Sequence, residues 1–163
     1  MKQVITAEQL QELSEEQKER LREWWFKHIK VGDVFIVDGK MKSSYLSRLR
    51  QQNTLNVVAE VKRKYFGVGS IYKDYTLMKI GEVLKDGDVT IGPNPLLSVG
   101  QCIELLQEKC PNGIAFHNDW GEIWTVLAQD TQNDDPPDSF ISRVIAEDHD
   151  LIDALWEAVK AVL

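Results

Sequence analysis

The chain has 163 residues, of which 43% are hydrophobic, and its formal net charge is −7. That length and hydrophobic content fit one ordinary domain with a real core, since two independent domains would each be small. The acidic balance excludes a general nucleic-acid binder that depends on net charge alone.

Two helices are predicted near the N-terminus from their start signals. Thr6 is a good cap for a short helical turn over residues 7–13, because its hydroxyl can accept from the first backbone amides. Ser14 followed by Gln17 forms a capping box for a longer helix over residues 15–28. The interior of this helix is rich in good helix formers.

Adjacent tryptophans mark the apolar side of the second predicted helix. Trp24 and Trp25 cannot point the same way from a helix, because successive residues are about 100° apart around its axis. We therefore expect one ring to pack inward and the other to lie at an edge or an interface.

The middle of the chain is predicted to be β-structure with tight turns, since it mixes β-branched runs with Asp-Gly pairs and single glycines. Gly67 and Gly69 indicate a hinge or bulge. The basic, serine-rich residues 40–52 fit a short helix or a loop with a helical turn equally well, and residues 92–95 are predicted to be a rigid loop. The predicted strands lie at residues 34–37, 55–65, 71–80 and 89–91.

A central helix and a β-hairpin follow. Ser98 is predicted to cap the helix, whose apolar stripe repeats every three to four residues until residues 111–113 stop it. Residues 114–116 and 123–127 are β-branched and aromatic runs, which predict two strands. Residues 117–121 between them have the composition of a hairpin tip.

The C-terminal part is predicted to be an acidic loop and two helices. Residues 129–138 are polar and contain two prolines, which indicates a surface loop or a disordered linker. A short helix is predicted over residues 140–146, and a final helix over 151–163 with Asp148 or Asp150 as its cap.

The predicted fold class is therefore α+β, with N-terminal, central and C-terminal helices around a small antiparallel sheet. We predict one domain, residues 1–163. Its parts are an N-terminal helical segment (1–30), an α+β core (31–128), an acidic loop (129–138) and the C-terminal helices (139–163).

The two cysteines, Cys102 and Cys110, are too few for a disulfide scaffold, and Cys102 lies on the predicted apolar stripe as an inert core thiol. Free thiols suit a reducing cytosol. The sequence has neither a signal peptide's apolar core nor a run of about 18 apolar residues. We predict a cytoplasmic protein with no membrane partner and no cofactor.

The densest polar group in the sequence is at the predicted hairpin tip. His117, Asp119 and Glu122 combine imidazole and carboxylates at short spacing, which could hold a divalent metal in a hydrolase or share a proton. A hydrated turn explains the same residues. Phosphate-cradling glycine motifs, nucleophile elbows and Cys-x-x-Cys or His-Glu-x-x-His motifs are absent from the sequence.

Charge is unevenly spread along the chain. Residues 40–79 carry nine Lys/Arg against two acidic residues, a net of +7, whereas residues 101–163 carry three Lys/Arg against thirteen acidic residues, a net of −10. The two halves can attract each other within one fold or simply be solvated. Alternatively, the basic segment binds nucleic acid or a nucleotide through charge interleaved with aromatics. The residues proposed for that role are Arg48, Arg50, Lys62, Arg63, Lys64 and Tyr65.

Three segments resemble small accessory proteins encoded by phages and prophages of Gram-positive bacteria. They are ITAEQLQELSEEQKERLREWW (5–25), LLSVGQCIELLQEK (96–109) and LIDALWEAVKAVL (151–163), and together they cover 48 of the 163 residues. The resemblance implies a mobile-element protein of the bacterial cytoplasm that binds host or defence proteins. It implies no activity and assigns no functional residue.

The leading interpretation is a non-enzymatic protein that binds a host or defence macromolecule. Its contacts would come from an exposed tryptophan edge on the N-terminal helix or from the acidic C-terminal half, which could block a basic, nucleic-acid-binding surface on a host protein. The residues predicted to contact a partner are Trp24, Trp25, Asp119, Trp120 and Glu122.

Overall fold

The fold is that of a computed structural model, which describes residues 3–37, 55–62, 65–70, 75–79, 84–86, 89–131 and 140–163. Within these ranges the chain forms helices at the N-terminus, in the centre and at the C-terminus, together with antiparallel sheets. The predicted α+β class is confirmed.

Local capping signals set where the helices begin. The helices are α1 (Ala7–Gln11), α2 (Glu15–His28), α3 (Val99–Lys109) and α4 (Leu151–Val162). The first three start with a capping box, in which Thr6, Ser14 and Ser98 each exchange hydrogen bonds with the Gln three residues later. Asp150 caps α4 by accepting from Ile152 N at 3.1 Å. The predicted starts of these four helices are therefore confirmed.

Within the described ranges the strands form three antiparallel sheets, whereas the sequence predicted one small sheet. A five-stranded sheet has the order β4-β3-β2-β1-β7, a three-stranded sheet has the order β10-β9-β8, and β5 and β6 form a two-stranded sheet. The strands are β1 (Val34–Val37), β2 (Asn56–Lys62), β3 (Tyr65–Ser70), β4 (Tyr75–Lys79), β5 (Leu84–Asp86), β6 (Val89–Ile91), β7 (Pro93–Pro95), β8 (Ile114–Asp119), β9 (Ile123–Thr131) and β10 (Phe140–Asp148).

The chain divides into two compact units. The N-terminal unit is Thr6–Leu96, and the C-terminal unit joins Met1–Ile5 to Leu97–Leu163. These boundaries differ from the segment boundaries predicted from the sequence, because the first residues of the chain belong with α3 and not with α1. That residues 1–163 fold as one domain stays a prediction.

The N-terminal unit has an aromatic core with two buried polar links. Trp25 on α2 packs against Phe35 on β1, with ring centroids 5.6 Å apart. The Trp25 indole Nε1 donates to Asp33 Oδ2 at 3.0 Å, so the ring is satisfied although it is fully buried. Arg22 Nη1 donates to Asn94 Oδ1 at 2.8 Å and thereby joins α2 to β7.

Strand β7 replaces the rigid loop predicted for residues 92–95, and that prediction is wrong. Leu96 N donates to Val34 O, so Asn94, two residues earlier, also directs its N–H toward β1. Because this direction alternates along a strand, an N–H at the positions of Pro93 and Pro95 would point away from β1. The missing proline donors therefore remove no bond from this outer strand.

In the C-terminal unit, α3 and α4 pack together, and α4 lies against β9 and β10. The apolar faces of both helices are buried, including Cys102, Leu105, Leu106, Leu155 and Trp156. At the start of the chain, Ile5 N donates to Leu97 O at 3.0 Å, which ties the first residues to the beginning of α3. The sheet of β8, β9 and β10 thus has one face covered by helix.

The predicted helix over residues 140–146 is wrong, because these residues form β10. Their apolar side chains, at 140, 141, 144 and 145, fit a helical spacing, but pairing with β9 along the whole strand overrides that local pattern. A bulge between Val144 and Ala146 shifts the strand by one residue. Consequently Ala146 is buried while Val144 is exposed. Strand β9 also runs through Thr131, so the predicted loop at 129–138 begins later than expected; residues 132–138 of that loop lie outside the described ranges.

Candidate functional site

The β8–β9 hairpin ends in a tight turn that carries a fully exposed tryptophan. The last pair of the ladder is Asp119↔Ile123, which leaves Trp120, Gly121 and Glu122 as the turn. Trp120 is 99% exposed and has φ +54°, and Gly121 has φ +82°. A left-handed backbone is unfavourable for a side-chain-bearing residue by about 1–2 kcal/mol, so this ring is held outward against a local preference.

The predicted tip at residues 117–121 is shifted in the structure. His117, Asn118 and Asp119 are part of β8 and pair with β9, so the turn starts at Trp120. The hairpin itself is confirmed, and Gly121 has a positive φ.

A histidine from a distant part of the chain contacts the turn. His149 lies between β10 and α4, and its Nδ1 is 2.7 Å from the backbone oxygen of Glu122. Because a carbonyl oxygen only accepts, Nδ1 carries the hydrogen in this contact. The turn is therefore braced from the segment that precedes α4.

The hairpin residues His117 and Thr125 lie on the face of the sheet that carries Glu147. His117 pairs with Thr125, which pairs in turn with Glu147 on β10. Thr125 Oγ1 donates to Glu147 Oε1 at 3.4 Å, consistent with this shared face.

The predicted metal residues lie on two parts of the hairpin. His117 and Asp119 belong to β8, whereas Glu122 is in the turn. The Asp119 side chain lies outside what the structure describes. Among the residues that it does describe, no group of three His, Cys, Asp or Glu could hold a metal ion. The metal-dependent hydrolase stays a prediction.

The expected tryptophan edge on α2 is wrong, since Trp24 and Trp25 are both buried. Trp24 stacks on His28 with centroids 4.6 Å apart, and Trp25 packs on Phe35. Both rings can be buried because a wide arc of the surface of α2 is buried. This arc also includes Leu21 and Arg22. Of the five residues predicted to contact a partner, only Trp120 and Glu122 have side chains described as exposed.

The residues of the nucleic-acid hypothesis are described only in part. Lys62 ends β2, where its Nζ is 3.0 Å from Glu60 Oε1, and it pairs with Tyr65 at the start of β3. Residues 56–62 and 65–70 are therefore two antiparallel strands, whereas the sequence predicted one continuous strand over 55–65. Arg48, Arg50, Arg63 and Lys64 lie outside the described residues, and the hypothesis stays a prediction.

In comparisons with known proteins, no family model, no curated protein and no solved structure matches this chain. Among the described helices, none combines the length and the apolar character needed to span a bilayer. Among the residues that the structure describes, Trp120 is the most exposed large hydrophobic side chain, and it has a positive φ.

Proposed function

We propose that this chain is a non-enzymatic accessory protein that binds a macromolecular partner through the tip of the β8–β9 hairpin. The single observation that carries the proposal is Trp120, whose indole is 99% exposed on a left-handed turn residue. Tryptophan is among the residues most enriched at binding hot spots, since it offers a large apolar surface with few rotatable bonds.

The tip is suited to an anchoring role because its backbone is constrained. Three residues close the turn between paired strands, and His149 Nδ1 contacts the Glu122 carbonyl. A preorganised side chain loses less conformational freedom on binding than a mobile one. Burial of a whole tryptophan side chain is worth about 4–6 kcal/mol at about 25 cal/mol per Å², before the costs of association are subtracted.

Charge supports a partner with a basic surface. The C-terminal unit carries thirteen Asp/Glu against four Lys/Arg, a net charge of −9. An acidic unit is attracted to a basic patch, and that attraction weakens as salt screens it. We further propose that the partner is a host or defence protein whose basic, nucleic-acid-binding surface is blocked, in the bacterial cytoplasm of a phage or prophage host. The resemblance of three segments to phage accessory proteins supports this setting.

The test is an affinity capture from a Gram-positive bacterial lysate, with and without nuclease, read by mass spectrometry. Three baits are compared: the unchanged chain, Trp120→Ser, and Val31→Ser as a matched control. Val31 is 65% exposed in the N-terminal unit, so its replacement removes a surface apolar group from the unit that does not contain the hairpin.

The proposal predicts a stoichiometric protein that survives nuclease, is retained by Val31→Ser and is lost with Trp120→Ser. Equal capture by Trp120→Ser would exclude the tip as the anchor. Recovery of nucleic acid, or of proteins only while nucleic acid is intact, would favour the basic segment at residues 40–75 instead.

A further inference from the structure

The outer strands of the sheets differ in how they are protected against pairing. An exposed strand edge offers unpaired amides and carbonyls, and proteins block such edges with prolines, bulges and charged side chains. β7 contains Pro93 and Pro95, and β10 has a bulge after Val144 and an exposed Arg143. These features protect both edges against pairing with a further strand.

Strand β8 forms the other edge of the three-stranded sheet and has neither a proline nor a bulge, and its one acidic residue, Asp119, is the last of the strand. Its sequence, IAFHND, contains no Pro, Lys or Arg. It pairs with β9 in unbroken register from Ile114↔Ala128 to Asp119↔Ile123. The strand is therefore regular along its whole length, as a template for another strand must be.

The register identifies which backbone groups of β8 point outward. Gln129 N donates to Gly113 O at 3.0 Å, so Gly113 directs its backbone groups toward β9. In an antiparallel ladder this direction alternates, so the inward residues are Ala115, His117 and Asp119. Ile114, Phe116 and Asn118 consequently direct their N–H and C=O groups away from β9. In the part of the chain that the structure describes, no strand pairs with this side of β8.

The side chains along β8 define what a further strand would meet. Phe116 pairs with Val126, which is fully buried on the helix-covered face, yet Phe116 itself is 38% exposed at the margin of that core. A strand beside β8 would cover this ring with an apolar residue. On the opposite face lie the exposed His117 and, across the sheet, the exposed carboxylate of Glu147.

We infer that the outer edge of β8 is a strand-addition site for an extended segment of a protein partner that alternates apolar and basic residues. The apolar residues would lie beside Ile114 and Phe116, and the basic ones would lie on the face that carries Glu147, in a unit of net charge −9. A second copy of the chain fits less well, because each copy contributes a unit of net charge −9. The inference rests on the proposed binding function and specifies its mode of contact, since main-chain bonds give such complexes affinity and alternate side chains give specificity.

The probe is a fluorescently labelled peptide of four Val-Lys repeats, and binding is measured by fluorescence anisotropy against the full chain at low salt. A Val-Glu peptide of the same length is the charge control and is expected not to bind. Two N-methylated versions of the Val-Lys peptide carry the methyl groups either on every Val or on every Lys.

In antiparallel addition, a residue that faces Phe116 also directs its N–H toward β8. Methylation of the Val amides is therefore expected to weaken binding at least tenfold, while methylation of the Lys amides changes it less than threefold. Equal loss from both peptides, or from neither, would overturn strand addition.

Two substitutions at one position test the protein side. Phe116→Pro removes an outward N–H that β9 does not use, whereas Phe116→Ala removes the ring and keeps the N–H. Strand addition predicts at least a tenfold loss of peptide affinity for Phe116→Pro and a smaller loss for Phe116→Ala, with both folds checked by circular dichroism. If Phe116→Pro fails to fold, the methylated peptides still test strand addition on the unchanged chain.

Hydrogen exchange and sedimentation separate the remaining outcomes. Peptide binding should slow exchange of the Phe116 and Asn118 amides and leave the paired His117 amide unchanged. A dimer of the free protein that Phe116→Pro converts to a monomer would overturn the inference, because the edge would then be occupied by a second copy. Loss of lysate capture by Trp120→Ser without any peptide binding would retain the proposed function and reject strand addition alone.

Discussion

The side chain of Arg22 donates from Nη1 to the side-chain oxygen of Asn94 at 2.8 Å, and both residues are buried. The pair joins α2 to the outer strand β7 across 72 positions of sequence. A guanidinium withdrawn from water is unfavourable unless its donors are hydrogen-bonded, and here one of its acceptors is a neutral amide. The N-terminal unit therefore depends on a polar contact inside its core.

Replacement of Asn94 by Leu should lower the free energy of unfolding by about 2–4 kcal/mol, because a charged donor would lose one of its acceptors while staying buried. The double variant Arg22→Met with Asn94→Leu should recover most of that loss. Urea denaturation of the unchanged chain, the two single variants and the double variant measures the coupling energy between the two side chains. Additive losses would show that the two side chains do not act as a pair.

Two fully buried tryptophans differ in their hydrogen bonding, and their Phe variants should differ in stability. Trp25 Nε1 donates to Asp33, whereas Trp156 Nε1 has no acceptor among the described residues. Trp25→Phe should lower the free energy of unfolding by about 1–3 kcal/mol, because the half-buried Asp33 carboxylate loses one of its donors. Trp156→Phe should change it by less than about 1 kcal/mol, and Trp156→Ala should lower it by about 3–5 kcal/mol. An equal loss from both Phe variants would indicate an acceptor for Trp156.

The two thiols should react very differently in the folded protein. Burial raises the pKa of the Cys102 thiol to about 12, so almost none of it is thiolate near neutral pH. Cys110, at the end of α3, is only half-buried. We expect iodoacetamide at pH 8 to add one label, at Cys110, and to add two labels in denaturant. Mass spectrometry counts them, and fast labelling of Cys102 under native conditions would contradict the burial.

The same pKa shift predicts how stability changes at alkaline pH. The unfolded chain releases the Cys102 proton near its ordinary pKa of 9.0, whereas the folded chain keeps it until about pH 12. The free energy of unfolding must therefore fall as pH rises between those values, by up to about 1.4 kcal/mol per pH unit. The stability advantage of the unchanged chain over Cys102→Ala should shrink by about 1 kcal/mol from pH 8 to pH 10. A constant difference would exclude this linkage.

The brace at the hairpin tip predicts a local effect of one substitution. His149→Ala removes the donor to the Glu122 carbonyl, and amide exchange in residues 120–122 should become several-fold faster while the global free energy of unfolding changes by less than about 1 kcal/mol. His149→Asn offers an amide nitrogen near the place of Nδ1 and should retain most of the slow exchange. Unchanged exchange in the Ala variant would show that the contact does not order the turn.

The features that could be predicted from the sequence are those set by neighbouring residues. Ser14 and Gln17 are three positions apart, and the exchange of hydrogen bonds between them fixes the start of α2 whatever surrounds it. Strand β10 could not be predicted in this way, because its partner β9 decides its conformation. Pro93 and Pro95 likewise predict a loop from the sequence. Only the register shows that they occupy positions whose N–H would point away from β1.

The candidate site shows the same limit. The sequence identified Trp120 as a residue of the hairpin tip, but the contrast between that exposed ring and the buried Trp24 and Trp25 depends on packing. His149 and Glu122 are 27 positions apart, and no periodicity relates them. The open edge of β8 follows from strand order, which a single sequence does not encode locally.

The left-handed backbone of Trp120 lowers the stability of the fold, whereas its exposed side chain is the proposed binding anchor. Glycine tolerates a positive φ without strain, so Trp120→Gly should raise the free energy of unfolding by about 1 kcal/mol while it removes the large apolar side chain of the turn. A laboratory selection for thermal resistance alone would favour this replacement, and the survivors would be the molecules that no longer bind. Persistence of tryptophan at this position in natural variants would accordingly record selection for recognition.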